Sequence, residues 1–141
     1  MILAIFFLPI LLIALLIKLD SKGPILYFSN RIGRYNNILK MPKFRTMYID
    51  TPQVASDRLL NPNKYITKIG KILRKFSLDE IPQIFTVISG SMSIVGPRPA
   101  LYNQNILIDK RKKLGIDKLK PGITGLAQIN GRDKISLDEK I

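Results

Sequence analysis

From Met1 to Ile17 every side chain is apolar, and the run then breaks into Lys18, Asp20 and Lys22. A stretch with no polar face predicts a helix that is apolar all round. A membrane-spanning helix needs roughly 20 such residues, and Pro9, in the middle, removes a backbone hydrogen bond and can kink the helix. Three readings fit: a short spanning helix, a truncated anchor, or a reentrant segment that enters one leaflet and returns. Pro9 favours the reentrant form. A buried helix of a soluble protein is the remaining alternative. A secretory signal fits poorly, because the start is uncharged and Lys18-Leu19-Asp20-Ser21-Lys22 is not a small-residue cleavage site.

Beyond this segment the pattern changes period several times. Ser21 to Pro24 reads as a turn, Ile25 to Phe28 as a short strand, and Arg31 to Asn37 as a turn into a second extended stretch, Ile38 to Met47. In that stretch Lys43 and Arg45 share one face and Phe44 takes the other. Asp50 to Asn63 is a polar loop with Pro52 and Pro62, the stretch expected to be mobile. Lys64 to Phe76 alternates as an amphipathic helix, with Ile66, Ile69, Leu73 and Phe76 on one face and Lys64, Lys68, Lys71 and Lys75 on the other. Such a basic helix suits a membrane surface or a solvated face over a core. A mostly apolar helix is expected over 79–89, a rigid loop over 93–99, and a helix over 100–113 ending in Lys110-Arg111-Lys112-Lys113, where cations favour the C-terminus. Lys120 to Gly125 reads as a turn feeding a short strand to Ile129; Asn130-Gly131-Arg132 turns again, and a helix is expected to start at Ser136.

Charge and composition narrow the chemistry. The 141 residues carry 23 Lys and Arg against 10 Asp and Glu, a net charge of +13, which points to a polyanionic partner: nucleic acid, anionic lipid or a phosphorylated substrate. All the basic residues follow the apolar run, so the positive-inside tendency places the remainder of the chain on the cytoplasmic face. Cysteine and histidine are absent, which excludes disulfides, thiolate and Ser-His-Asp chemistry and the usual zinc sites. Any catalysis must draw on carboxylates, Lys, Arg, Tyr, hydroxyls or an oxygen-ligated metal such as Mg²⁺.

Against this background Asp79-Glu80 stands out, two adjacent carboxylates just after Arg74 and Lys75. Ser77-Leu78-Asp79-Glu80 fits a capping box, with Ser77 as N-cap and Glu80 reaching back. Pro82 is awkward in that register, and a start at Asp79 would tolerate it better. The recurrence of the tetrapeptide at Ser136-Leu137-Asp138-Glu139 keeps the structural reading open beside the chemical one.

Taken in order, Pro9, the Lys43-Phe44-Arg45-Thr46-Met47 strand, Arg74-Lys75-Phe76-Ser77-Leu78-Asp79-Glu80-Ile81-Pro82-Gln83, Gly96-Pro97-Arg98-Pro99, Lys120-Pro121-Gly122-Ile123-Thr124-Gly125 and Ala127-Gln128-Ile129-Asn130-Gly131-Arg132 closely resemble the bacterial sugar transferases, the monotopic phosphoglycosyl transferases. The resemblance implies an α+β fold: a membrane-inserted, reentrant anchor over 1–19, then a cytoplasmic-face catalytic domain over 20–141 with interfacial amphipathic helices and a small sheet of short strands. It implies a bacterial inner-membrane enzyme that transfers sugar-1-phosphate from a UDP-sugar to polyprenyl (undecaprenyl) phosphate, releasing UMP and starting exopolysaccharide, capsule, O-antigen or glycoprotein glycan synthesis. Asp79 falls on the family's nucleophile and would form a phosphosugar-aspartate intermediate. Glu80 would assist as a ligand of Mg²⁺, which Asp79 would share, or in activating the acceptor. Arg98, set between two prolines, is the candidate phosphate clamp; Lys43, Arg45 and Arg74 are further candidates, with surface charge as their alternative. Pro9, Ser77, Pro97, Pro99, Gly122 and Gly125 are read as structural residues of the site. Membrane lipids are expected partners and nucleic acid is not.

The chain also departs from the family pattern. It begins inside the apolar run, has Leu8 where serine commonly precedes the proline, and stops where family members continue. It is therefore expected to lack a C-terminal part. The rival readings are a non-catalytic truncated homologue and, from charge alone, a membrane-tethered binder of nucleic acid or anionic lipid.

Overall fold

A computed structural model describes residues 2–52, 61–130 and 136, with side chains from Leu8 onward. Its elements are α1 (Ile2–Asp20), β1 (Leu26–Ile32), β2 (Ile38–Phe44), α2 (Lys68–Lys75), α3 (Ile84–Ile88), β3 (Ser93–Val95), α4 (Asn105–Lys113), β4 (Gly122–Thr124) and α5 (Leu126–Ile129). The mixture of helices with two small two-stranded sheets is the expected α+β class. The chain divides into two compact units, one of residues 1–27 and 43–81, the other of residues 28–42 and 82–141.

The first unit is built on α1. This helix runs as one element through Pro9, and among the described residues no helix is long and apolar enough to cross a membrane. Although α1 is apolar all round, only one stripe packs. Ile10, Ile13 and Ile17, at helical spacing, meet Phe44, Leu73, Ile25, Ile69, Leu78 and Ile81. Leu8, Leu11, Leu12, Leu15 and Leu19 remain exposed, each by more than half. The helix is thus neither fully buried nor a free rod, and it belongs to the same compact unit as residues 43–81.

Two polar contacts fix how α1 ends. The Asp20 carboxylate accepts the Ile69 N–H at 2.9 Å, satisfying an amide in the first turn of α2. The buried Arg45 guanidinium donates to the Lys22 carbonyl, to the Ser21 carbonyl at 2.8 Å and to Ser21 Oγ at 3.0 Å. Charge-assisted bonds of this kind are worth about 1.5–3 kcal/mol each. Arg45→Met should therefore cost the first unit about 3 kcal/mol, read as a lowered denaturant midpoint at unchanged slope. A midpoint matching the wild type would show that these bonds contribute nothing net.

The expected amphipathic helix starts later than its pattern suggested. Tyr65 closes the preceding turn and Ile66 and Thr67 pair with another segment instead: Tyr48 donates to Tyr65 at 2.9 Å, Thr67 donates to Thr46 at 3.0 Å, and Met47 bridges Ile66. Thr67 is the N-cap, its hydroxyl accepting the Gly70 N–H at 2.9 Å. Gly70 allows α2 to lie directly on the chain at Thr46, since an added Cβ would overlap the Thr46 carbonyl. Lys64 falls in a separate 3-10 turn, Pro62–Lys64. Phe76, expected on the apolar face, is exposed, because α2 ends there.

The second unit joins segments that read as unrelated in the sequence. β3 and β4 pair in parallel, Ser93 opposite Gly122 and Val95 opposite Thr124, with α4 in the connection. Residues 93–95, expected as loop, are thus strand. The strand expected toward Ile129 ends at Thr124 and gives way to α5. α4 begins at Asn105 rather than Ala100, because Ala100 and Leu101 are used by strand-like pairing: Ile32 donates to the Ala100 carbonyl at 2.8 Å and Arg31 bridges Leu101. Most of the Asp50–Asn63 loop, the Asn130-Gly131-Arg132 turn beyond Asn130 and the helix expected from Ser136 lie outside the described residues.

Candidate active site

The carboxylate pair is delivered by a break in the helix path. α2 closes at Phe76, and Ser77 then adopts the left-handed region, with φ 56°. A non-glycine residue there is uncommon and costs backbone energy. This corrects the N-cap expectation for Ser77, since an N-cap needs extended backbone. The Ser77 N–H donates to Arg74 O at 3.3 Å, so Glu80 does not reach back to it; the Ser77 carbonyl instead receives the Glu80 N–H at 3.2 Å. Leu78–Gln83 is a 3-10 helix rather than the start of an α-helix, and Pro82 explains why. Proline has no N–H for the Leu78 carbonyl, and its ring would clash with it in an α-helical turn. The helix becomes α only from Ile84.

Four of the expected residues meet in the first unit: Lys43, Arg74, Asp79 and Glu80. Lys43 Nζ donates to Glu80 Oε1 at 2.7 Å, a half-buried ion pair. Arg74 Nε donates to Thr46 Oγ1 at 2.9 Å, which holds the base of that side chain on the chain segment next to Lys43. Burial pushes the Asp79 carboxyl above the usual carboxylate range. Lys43 opposes that rise, Glu80 adds to it, and Arg74 opposes it. Asp79 is thus a partly desolvated carboxylate between a like charge and two cations, the environment that sets a reactive carboxylate apart from a solvated one.

Arg45 does not join this cluster. It is buried against Ser21 and Lys22, as described, so the expectation of a phosphate-binding Arg45 is corrected to that of a strut at the exit of α1. Alternation along an extended stretch placed Lys43 and Arg45 on one face but could not say that the carbonyls after α1 would take one of them. Pro9 lies exposed within α1, away from any polar contact among the described residues.

The remaining expected residues meet in the second unit. Gly96, Gly122 and Gly125 allow backbone to lie on backbone: a Cβ on Gly122 would overlap the Gly96 nitrogen, and one on Gly125 the Gly96 carbonyl. Gly96 N–H donates to Thr124 O at 2.9 Å, and Gly122 N–H to Pro97 O at 3.0 Å. The Pro97-Arg98-Pro99 loop is therefore a direct extension of the β3–β4 pair. The Arg98 guanidinium, half-buried, has no hydrogen bond or ion pair among the described residues, so its donors are uncommitted.

Sequence reasoning missed Arg111, which it took as one of four cations at a helix end. Arg111 is buried, burial lowers its pKa, and its Nη1 donates to Arg98 O at 2.6 Å. A signal was available: Arg111 stands one turn beyond buried Leu107, on the inward face of α4.

The pair Asp79-Glu80 also answers whether a hard cation fits. No group of three or more acidic, histidine or cysteine side chains is assembled among the described residues. Mg²⁺ does not require one: it is held by one or two carboxylates, with waters and substrate phosphates completing its shell. Two adjacent carboxylates, one already raised in pKa by burial and by the other, fit that need.

Comparison with known proteins places the chain in a family. The family model for bacterial sugar transferases matches residues 1–141. The UDP-glucose:undecaprenyl-phosphate glucose-1-phosphate transferase of Klebsiella pneumoniae is 44% identical over 129 residues, covering 87% of this chain and 27% of the relative. The galactosyl transferase CpsE of Streptococcus agalactiae is 40% identical over 125 residues, 81% of this chain and 28% of the relative. The exopolysaccharide production protein ExoY of Rhizobium meliloti is 36% identical over 146 residues, 93% of this chain and 64% of the relative. The chain thus spans about a quarter of the length of the first two and just under two thirds of the third. By the match over its whole length, the chain belongs to the bacterial sugar transferase family.

Proposed function

We propose that the chain transfers a sugar-1-phosphate from a UDP-sugar to polyprenyl phosphate, with Asp79 as nucleophile. The observation that carries the reading is the partly buried Asp79, beside Glu80 and within the field of Lys43 and Arg74. A carboxylate shielded from water is a better nucleophile than a solvated one, and neighbouring cations offset its repulsion from a diphosphate. In the first step an Asp79 oxygen bonds to the phosphorus that carries the sugar. The bond from that phosphorus to the bridging oxygen breaks, and UMP leaves. In the second, a polyprenyl phosphate oxygen attacks the same phosphorus and Asp79 is released as carboxylate. Lys43 holds the Glu80 carboxylate in place through both steps. Asp79 and Glu80 would hold Mg²⁺, which supplies charge neutralisation on the diphosphate. Arg98 serves as a phosphate-binding group, supported by its uncommitted donors on a rigid loop.

The exposed leucines of α1 belong, on this reading, in the membrane. An exposed apolar face of this kind is unusual on a soluble surface and suits lipid. The basic face of α2, with Lys68, Lys71 and Lys75 exposed, suits anionic headgroups on the cytoplasmic side of a bacterial plasma membrane. The acceptor's lipid tail would stay in the bilayer and present its phosphate at the interface.

The test is nucleotide release. The full chain in detergent, with undecaprenyl phosphate, Mg²⁺ and a panel of UDP-sugars, is expected to release UMP with a preference for one sugar, and EDTA should abolish the release. Folded protein that releases no UMP with any sugar would refute the reading for this chain.

A further inference from the structure

The Pro97-Arg98-Pro99 loop is held through its carbonyls. Two of its three residues are prolines and have no N–H, so the loop has a single backbone donor of its own and depends on donors brought to its carbonyls. Each carbonyl receives one: Pro97 O from Gly122 N–H at 3.0 Å, Arg98 O from Arg111 Nη1 at 2.6 Å, and Pro99 O from Arg31 Nη1 at 3.4 Å. The middle bond is the shortest and the one made at Arg98 itself. Its donor is 8% exposed, although it sits among exposed Lys112 and Lys113 at the end of α4. Burying a guanidinium is costly, and such groups are retained where their bonds fix something specific.

We propose that Arg111 is a positioning residue for Arg98: its guanidinium fixes the backbone from which Arg98 presents its own guanidinium to phosphate. This deepens the phosphate-binding role proposed above and rests on it. The planar fork of an arginine pins a carbonyl with a short charge-assisted bond. Without that bond the flanking prolines still stiffen the loop, but the direction of the Arg98 side chain is no longer set, and small misplacements are expensive for phosphate recognition.

The test is a double-mutant cycle read by calorimetric binding of UDP-glucose to the full chain, with thermal melts alongside. Arg98→Ala is expected to weaken binding about tenfold, and Arg111→Met to weaken it by a similar factor. If Arg111 acts through Arg98, the double variant binds no more weakly than Arg98→Ala alone. Losses that multiply, to about a hundredfold, would mean that the two act independently and would overturn the inference while leaving the phosphate role of Arg98 intact. Unchanged binding by a folded Arg98→Ala variant would overturn that role, and the inference with it. Should Arg111→Met fail to fold, Arg111→Gln, which keeps a polar end in the same space, takes its place in the cycle.

Discussion

Replacing Asp79 with asparagine should lower UMP release about ten-thousand-fold or more, the scale of losing a covalent nucleophile. The same change should stabilise the protein at neutral pH. Burial holds the folded-state pKa of Asp79 above its ordinary value of 3.8, with Glu80 adding to the rise and Lys43 and Arg74 limiting it. Between the ordinary and the raised pKa the folded chain binds the proton that the unfolded chain has given up. Stability therefore falls as pH rises through that window, and above it the ionised carboxylate destabilises the fold. The asparagine side chain carries no such charge. The melting temperature of Asp79→Asn should exceed that of the wild type at neutral pH, and the gap should narrow as pH falls toward the ordinary carboxylate range. The activity of the wild type has the matching sign: its acid limb should lie above the usual carboxylate range. A variant that loses activity and stability together, at every pH, would count against a strained reactive carboxylate and for a merely structural one. An Asp79→Asn variant that still releases UMP at the wild-type rate would remove Asp79 from the chemistry.

Gly122→Ala should destabilise the second unit by about 3 kcal/mol, at the upper end of what overpacking usually costs. The added Cβ would overlap the Gly96 nitrogen and approach the Thr124 carbonyl to 2.6 Å and the Gly96 Cα to 2.7 Å. Each of these is backbone in the β3–β4 pair or at its edge, so no side chain can swing aside. Because Gly122 N–H also holds the Pro97 carbonyl, the shift should pass into the Arg98 loop and weaken UDP-sugar binding as well. Gly115→Ala is the control. Gly115 has a left-handed φ of 72° but no atom within 4 Å of the added Cβ, so it should cost only about 1 kcal/mol, the price of backbone conformation. Equal midpoints for the two variants would show that the strand contact yields more easily than its geometry implies.

Much of this arrangement could be read from the residues, and the parts that could not share a cause. The apolar helix, the Ile38–Phe44 strand, the α+β class and the cations closing α4 follow from local pattern, and the structure contains them. The meeting of Lys43 with Glu80 was within reach because an isolated carboxylate pair in so basic a chain needs cations near it. What local pattern could not supply was partnership at a distance. Tyr65 to Thr67 sit at helical spacing, yet their backbone groups are taken by Thr46 to Tyr48. Ser77 satisfies the letter of a capping box, yet Pro82 forces a tighter turn and Ser77 into positive φ. Arg45 alternates with Lys43, but its fate is decided by the carbonyls that follow α1. The Ser93–Val95 stretch before Gly-Pro-Arg-Pro looked like loop and the Pro-Gly-Ile-Thr-Gly segment like a turn, and they supply the two sides of one strand pair.

That strand pair has a consequence for how the chain assembles on the ribosome. Every residue of the first unit has been synthesised once Ile81 is made, so the contacts around Asp79 and Glu80 can form while the rest of the protein is still emerging. The Arg98 loop has an early partner only at Pro99, whose carbonyl Arg31 holds. Its hold on Pro97 comes from Gly122, and its hold on Arg98 from Arg111, so it stays open until the chain has passed both. Closing contacts across that span is slower than local helix formation. The nascent chain thus acquires its carboxylates in order first and the Arg98 loop last, and the α1 segment, made before either, is free to find its surroundings ahead of both.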